Sequence, residues 1–96
     1  MSKSALTIKK LQVHLNRQKL PTQIYAVFND GWRLIIYFQK RWHLTSAYLE
    51  IPSESRRLHL DASPFRHHVP DEIQTADMTR KDWADVCFRY RMEMMT

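Results

Sequence analysis

Five histidines, one cysteine and a scatter of carboxylates are the residues of this 96-residue chain equipped for chemistry. His43 and His59 fall in segments with strand character, and Asp61 is the one carboxylate close to either. His67-His68 followed by Asp71-Glu72 has the composition of a metal site or an acid–base pair. Adjacent side chains on a loop, however, hold no fixed mutual geometry. No two histidines stand at the i, i+4 spacing that puts two ligands on one helix face. Cys87 lies in a helical apolar stripe, where a small buried hydrophobe is its ordinary role, and one thiol cannot build a thiolate cluster. Gly31 is the single glycine, which excludes a glycine-rich phosphate loop. The sequence therefore reads as non-enzymatic, with no metal and no cofactor.

The elements that carry these residues are organised around Gln23 to Gln39, QIYAVFNDGWRLIIYFQ. Two runs rich in β-branched and aromatic residues flank Asn29-Asp30-Gly31, a strong hairpin signal. A two-residue loop at Asp30-Gly31 sets Arg33 opposite Phe28, on the face of Ile24 and Ala26. A three-residue loop, with Gly31 at positive φ in a bulge, pairs Phe28 with Trp32 instead. The second register collects Ile24, Ala26, Phe28, Trp32, Leu34, Ile36 and Phe38 on one face, the cleaner core, and is preferred.

Length and composition fit one domain, with 44% hydrophobic residues and a modest core that needs no staples. A lone cysteine fits a reducing cytoplasm. MSKSALTIKK lacks the apolar region of a signal peptide, and the apolar run Leu34 to Phe38 is too short to span a bilayer. The expectation is a soluble intracellular protein with no membrane partner. Residues 1–60 hold ten Lys/Arg against three Asp/Glu, and residues 61–96 five against seven. A basic half of this kind attracts nucleic acid or acidic protein surfaces, or simply solvates one side of a small domain.

Ser4 to Lys19 reads as a helix capped by Ser4 and stopped by Pro21, with Ile8, Leu11 and Leu15 as its stripe. Lys9, Lys10, Arg17 and Lys19 then lie outward. Leu11, Val13 and Leu15 also alternate, so a strand competes. Trp42 to Ile51 has strand chemistry, with Thr45, Ala47, Leu49 and Ile51 on one side. Pro52 to Ser55 is a turn, and Arg57 to Asp61 a short strand burying Leu58 and Leu60. Thr79 caps a C-terminal helix, with Asp82 completing a capping box and Met78 and Trp83 a hydrophobic staple. Its buried stripe is Trp83, Val86, Cys87, Tyr90 and Met94. Ala84, Phe88 and Met95 widen the apolar surface, as in a deeply buried helix or one with a partner. The fold class expected is α+β: an antiparallel meander of three or four strands packed by an N-terminal and a C-terminal helix.

Ala62 to Ala76 has no useful period and contains Ser63-Pro64 and Val69-Pro70. Loops of that length in small domains are more often functional than structural. Phe65, Arg66, His67 and His68 suit contact with a partner; equally, Phe65 tucks under the sheet edge and the histidines face solvent. In a mobile loop each X-Pro bond would populate cis at about 5–30%, which makes a prolyl isomerase an accessory partner to expect. The candidate binding residues are thus Lys9, Lys10, Arg17, Arg41, Arg56 and Arg57, with Pro64, Phe65, Arg66, His67, His68 and Pro70 of the loop.

Two classes of binding module follow. Helix–strands–helix with a basic first helix shares the outline of double-stranded-RNA-binding domains. Those use a basic start to the last helix, whereas here Thr79-Arg80-Lys81-Asp82 brings acids. Tyr25, Tyr37 and Trp42 offer rings for stacking bases, so a small basic nucleic-acid-binding module is the alternative reading. Direct nucleic-acid binding is expected to be weak or absent, and duplex binding steeply salt-dependent.

A protein-interaction module is the other class. The stretches MSKSALTIKKLQVHLNRQKLP, YAVFNDGWRLIIYFQKRWHLTSAYLEIPS and DMTRKDWADVCFRYRMEMMT resemble the small anti-RecBCD proteins of lambdoid phages, the Abc family, over nearly the full length. The resemblance implies a non-enzymatic protein of the host bacterial cytoplasm that binds the RecBCD helicase–nuclease through its RecC subunit. It further implies an altered response to Chi, protected phage DNA ends and favoured phage recombination. No short motif fixes contact residues for the family, so none is carried over.

Overall fold

A computed structural model of the chain describes residues 5–19, 21–39, 43–61 and 79–95. Among these residues it is an α+β fold: one five-stranded antiparallel sheet covered on one face by one α-helix. The strands are β1 (Ile8–Leu15), β2 (Pro21–Phe28), β3 (Arg33–Gln39), β4 (His43–Ile51) and β5 (Arg56–Asp61), and the helix is α1 (Arg80–Met94). Each strand pairs only with its neighbours in sequence, in the order β1-β2-β3-β4-β5.

The central hairpin takes the three-residue loop. The Phe28 and Trp32 backbones close it: Phe28 N–H donates to the Trp32 carbonyl at 2.9 Å, and Gly31 N–H to the Phe28 carbonyl at 2.9 Å. Gly31 has φ +87°, in the left-handed region that L side chains resist. A Cβ at Gly31 would meet nothing within 4 Å, so the cost of a side chain there is backbone strain alone. Gly31→Val is expected to lose about 1–2 kcal/mol in urea unfolding, with Gly31→Asn markedly milder. Equal stability for Gly31→Val would contradict the turn. The register Val27↔Arg33, Ala26↔Leu34, Ile24↔Ile36 follows from this loop and sends Ile24, Ala26, Phe28, Leu34, Ile36 and Phe38 into the core.

The N-terminal segment corrects the sequence reading: residues 8–15 are strand, not helix, and the sheet has five strands rather than three or four. The alternation of Leu11 and Val13 wins over the helical stripe, and Leu15 of that stripe is half exposed. Three interactions explain it. The free edge of β2 offers a ladder, with Leu11 facing Ala26 and Val13 facing Ile24. Asn29 holds the approach to β1 extended: its side chain accepts from Thr7 N–H at 3.1 Å and donates to the Ala5 carbonyl at 2.8 Å. At the other end Asn16 Oδ1 accepts from Gln18 N–H at 2.8 Å, and Lys19 turns the chain at φ 66°. Local helix propensity is a weak prior against such tertiary pairing. The outline of a double-stranded-RNA-binding domain goes with the lost helix.

Helix α1 begins as its sequence predicts. Thr79 accepts from Asp82 N–H at 3.2 Å, and Thr79 N–H donates to Asp82 Oδ2 at 2.8 Å, a capping box. Met78, the other half of the expected staple, lies outside the described residues. Trp83, Val86, Cys87 and Tyr90 are buried on the sheet, and Met94 is half-buried beside them. Phe88 accounts for the widened apolar side: its ring meets Phe28 at 5.6 Å. Burial pushes the Cys87 thiol up to about 12, so the thiolate is absent at neutral pH. Native protein at pH 8 should resist a thiol reagent until it unfolds. Rapid labelling of folded protein would place Cys87 at the surface instead.

Candidate partner-binding face

Helix α1 covers one face of the sheet and leaves the other without a layer among the described residues. Because strand side chains alternate, the uncovered face is set by the register. It falls into three rows running across the five strands. The first row is Lys10, Val27, Arg33, Glu50 and Arg57; the second is Gln12, Tyr25, Ile35, Tyr48 and His59. His14, Gln23, Tyr37, Ser46 and Asp61 make the third.

The rings on this face are ordered by contacts. Tyr48 and His59 stack at 4.6 Å with 11° between their planes, and the Arg57 guanidinium lies 4.1 Å from the Tyr48 ring centre. Tyr48 thus has a cation and a second ring against it. Tyr37 meets Tyr48 edge-on at 6.1 Å. Lys10 Nζ stands 6.0 Å from the Tyr25 ring centre. Glu50 is the carboxylate inside the first row, and it pairs with Arg33 at 3.5 Å. With both side chains partly exposed, that pair contributes little to stability.

The structure disperses the residues singled out in the sequence. Lys10 and Arg57 stand at opposite ends of the first row. Lys9 is the extra residue at a register shift between Ile8 and Lys10, and is exposed. Arg17 is exposed in the turn joining β1 and β2. Arg56 faces Ile51 across β4 and β5 and pairs with Glu54 at 3.2 Å, beside a hollow of about 400 Å³ lined by Trp32, Leu58 and Met94. Arg41 and Pro64, Phe65, Arg66, His67, His68 and Pro70 lie outside the described residues, as does Trp42. The sequence reading missed Arg33, Tyr48 and His59 as members of one surface. The period-two pattern of β3, β4 and β5 that places them was legible; only Lys10 needs the N-terminal segment read as the first strand.

A second polar constellation sits at the hairpin loop, on the covered side of the sheet. Arg91, 5% exposed, lies 4.0 Å from the Trp32 ring centre and 4.6 Å from that of Phe28. Its Nη1 donates to Asp30 Oδ1 at 3.2 Å, and Nη2 makes a second, short bond to Oδ2. The Arg91 hydrogen bonds hold the Asp30 carboxyl below its ordinary range, opposed by partial desolvation and aided by Trp32 N–H. Arg91 ties the helix to the hairpin loop; it is a structural clamp.

Among the described residues no three His, Cys, Asp or Glu side chains gather where they could hold a metal ion. No described helix is long and apolar enough to cross a membrane. No family model matches the chain, and neither curated proteins nor solved structures yield a match.

Proposed function

We propose that this chain is a non-enzymatic phage protein that binds the host RecBCD helicase–nuclease through its RecC subunit. In that role it alters the response to Chi, protects phage DNA ends and favours phage recombination in the bacterial cytoplasm. The observation that carries the binding half of the reading is the uncovered sheet face, with cations at both ends of one row and half-exposed rings beside it. Surfaces of aromatics and arginines are the usual anchors of protein interfaces. The resemblance of the three stretches quoted above supplies the partner. Purified chain mixed with purified RecBCD, and separately with RecC, should co-elute in size-exclusion chromatography and reduce Chi-dependent processing of linear duplex. Failure to co-elute with either rejects the reading.

Charge reversal gives a finer test. Lys9→Glu with Lys10→Glu changes two exposed side chains on an outer strand. The expected outcome is slower association with RecBCD and an unchanged melting temperature. Reduced stability with unaltered association would remove these lysines from the interface.

A further inference from the structure

The uncovered face sorts its groups: the cations fall in the first row, and the rings in the second and third. Neighbouring rows lie two residues apart along each strand, roughly 7 Å, and five strands span roughly 19 Å across. We propose that this face binds single-stranded nucleic acid, its phosphates along Lys10, Arg33 and Arg57 and its bases on the rings of Tyr25, Tyr37 and His59.

A single strand presents charge on one side and flat apolar bases on the other, which is the division made by the rows. A duplex hides its base faces and would use the cations alone. An acidic peptide would likewise match the cations and leave the rings without a counterpart. Tyr48 and His59 form a parallel stack at 4.6 Å with Arg57 4.1 Å from the Tyr48 ring centre, and exposed His59 on the outer strand offers a ring on which a base extends the pile. Tyr37, 37% exposed, stands edge-on beside it. Glu50 occupies Arg33 at 3.5 Å, which leaves Lys10 and Arg57 as the stronger anchors. The site differs from the weak duplex attraction expected from net charge; it uses the face that the proposed function gives to RecC, so the two occupants would compete, and the test uses the chain alone.

Fluorescence anisotropy with the purified full chain tests this, using labelled oligothymidylate, oligouridylate and a hairpin duplex, with polyglutamate as competitor. Single strands should bind at micromolar concentration with a log–log salt slope of about −2, as three phosphate contacts give. Tighter oligouridylate binding identifies RNA as the preferred strand, and tighter oligothymidylate binding DNA. Arg33→Ala with Arg57→Ala should weaken binding roughly tenfold or more at about 0.1 M salt and flatten the slope to about −0.7. His59→Ala should weaken binding with the slope unchanged, the signature of lost stacking. Lys81→Ala with Arg89→Ala removes two exposed cations from the helix and should change affinity little. Thermal melts establish that each variant is folded; if the double arginine variant is not, His59→Ala carries the test. Equal loss from the helix pair, duplex binding as tight as single strands, displacement by polyglutamate at equal charge, or no binding overturns the proposal.

Discussion

Asp30→Ala should cost about 3 kcal/mol of folding stability, measured by urea unfolding with Arg91 left in place. The substitution strands a guanidinium that is 5% exposed between two aromatic rings, with both of its Asp30 hydrogen bonds gone. Removing one partner of a buried pair is strongly destabilising, because the remaining charge keeps its desolvation cost. Asp30 lies at the protein surface and its side chain is 36% exposed, so water relieves part of that cost and the lower end of the usual range applies. Acid gives an independent readout. The Arg91 hydrogen bonds hold the Asp30 carboxyl below its ordinary value, so the native state favours its ionised form. Its contribution is present above the unfolded value and is lost as pH falls through the lower folded one. Asp30→Ala should therefore flatten that part of the acid limb, between pH about 4 and below. An unchanged acid limb would mean that the clamp contributes nothing to stability.

Trp83→Ala should cost roughly 3–5 kcal/mol, the usual price of emptying a large aromatic site. Trp83 is 7% exposed and packs edge-on against Phe38 at 6.4 Å, at the first turn of α1. It lies with Val86, Cys87 and Tyr90 among the residues that close the covered face of the sheet. Domains of this size have roughly 5–15 kcal/mol of stability in all, so the variant should be extensively unfolded at moderate urea. A loss below about 1 kcal/mol would show that the helix contributes little to closing the core.

The parts of this fold that were legible in sequence are those fixed by local chemistry. Asn29-Asp30-Gly31 marked the turn, and the cleaner apolar face selected the three-residue loop whose register buries Phe28 and Leu34. Thr79 and Asp82 marked the start of the helix because a capping box is a contact within four residues. What escaped was decided at a distance. Ile8 to Leu15 carries both a helical stripe and a strand alternation, and the choice was made by β2 and by the Asn29 side chain, more than ten residues away. Arg91 carries no local signal of burial near the end of a helix. Its burial depends on Asp30 and Trp32 standing where the hairpin puts them, 61 residues earlier in the case of Asp30. The full cation row of the uncovered face was illegible for the same reason, since Lys10 joins Arg33 and Arg57 only when the first strand is in the sheet.

Strand β1 has a further consequence, for self-association. An open sheet ends in strands with a free row of N–H and C=O groups, each a template onto which another copy could zip. On β1 that template is spoiled three times. The register shift at Lys9 breaks the regular ladder, Lys9 and Lys10 bring like charges to any matching strand, and Arg80 Nη1 reaches the Leu11 carbonyl at 3.5 Å. Two copies meeting through β1 would have to bury those lysines against one another and displace Arg80. The same side of the molecule that is rich in strand character is thereby a poor seed for fibrils, and the positive charge of those lysines keeps like copies apart.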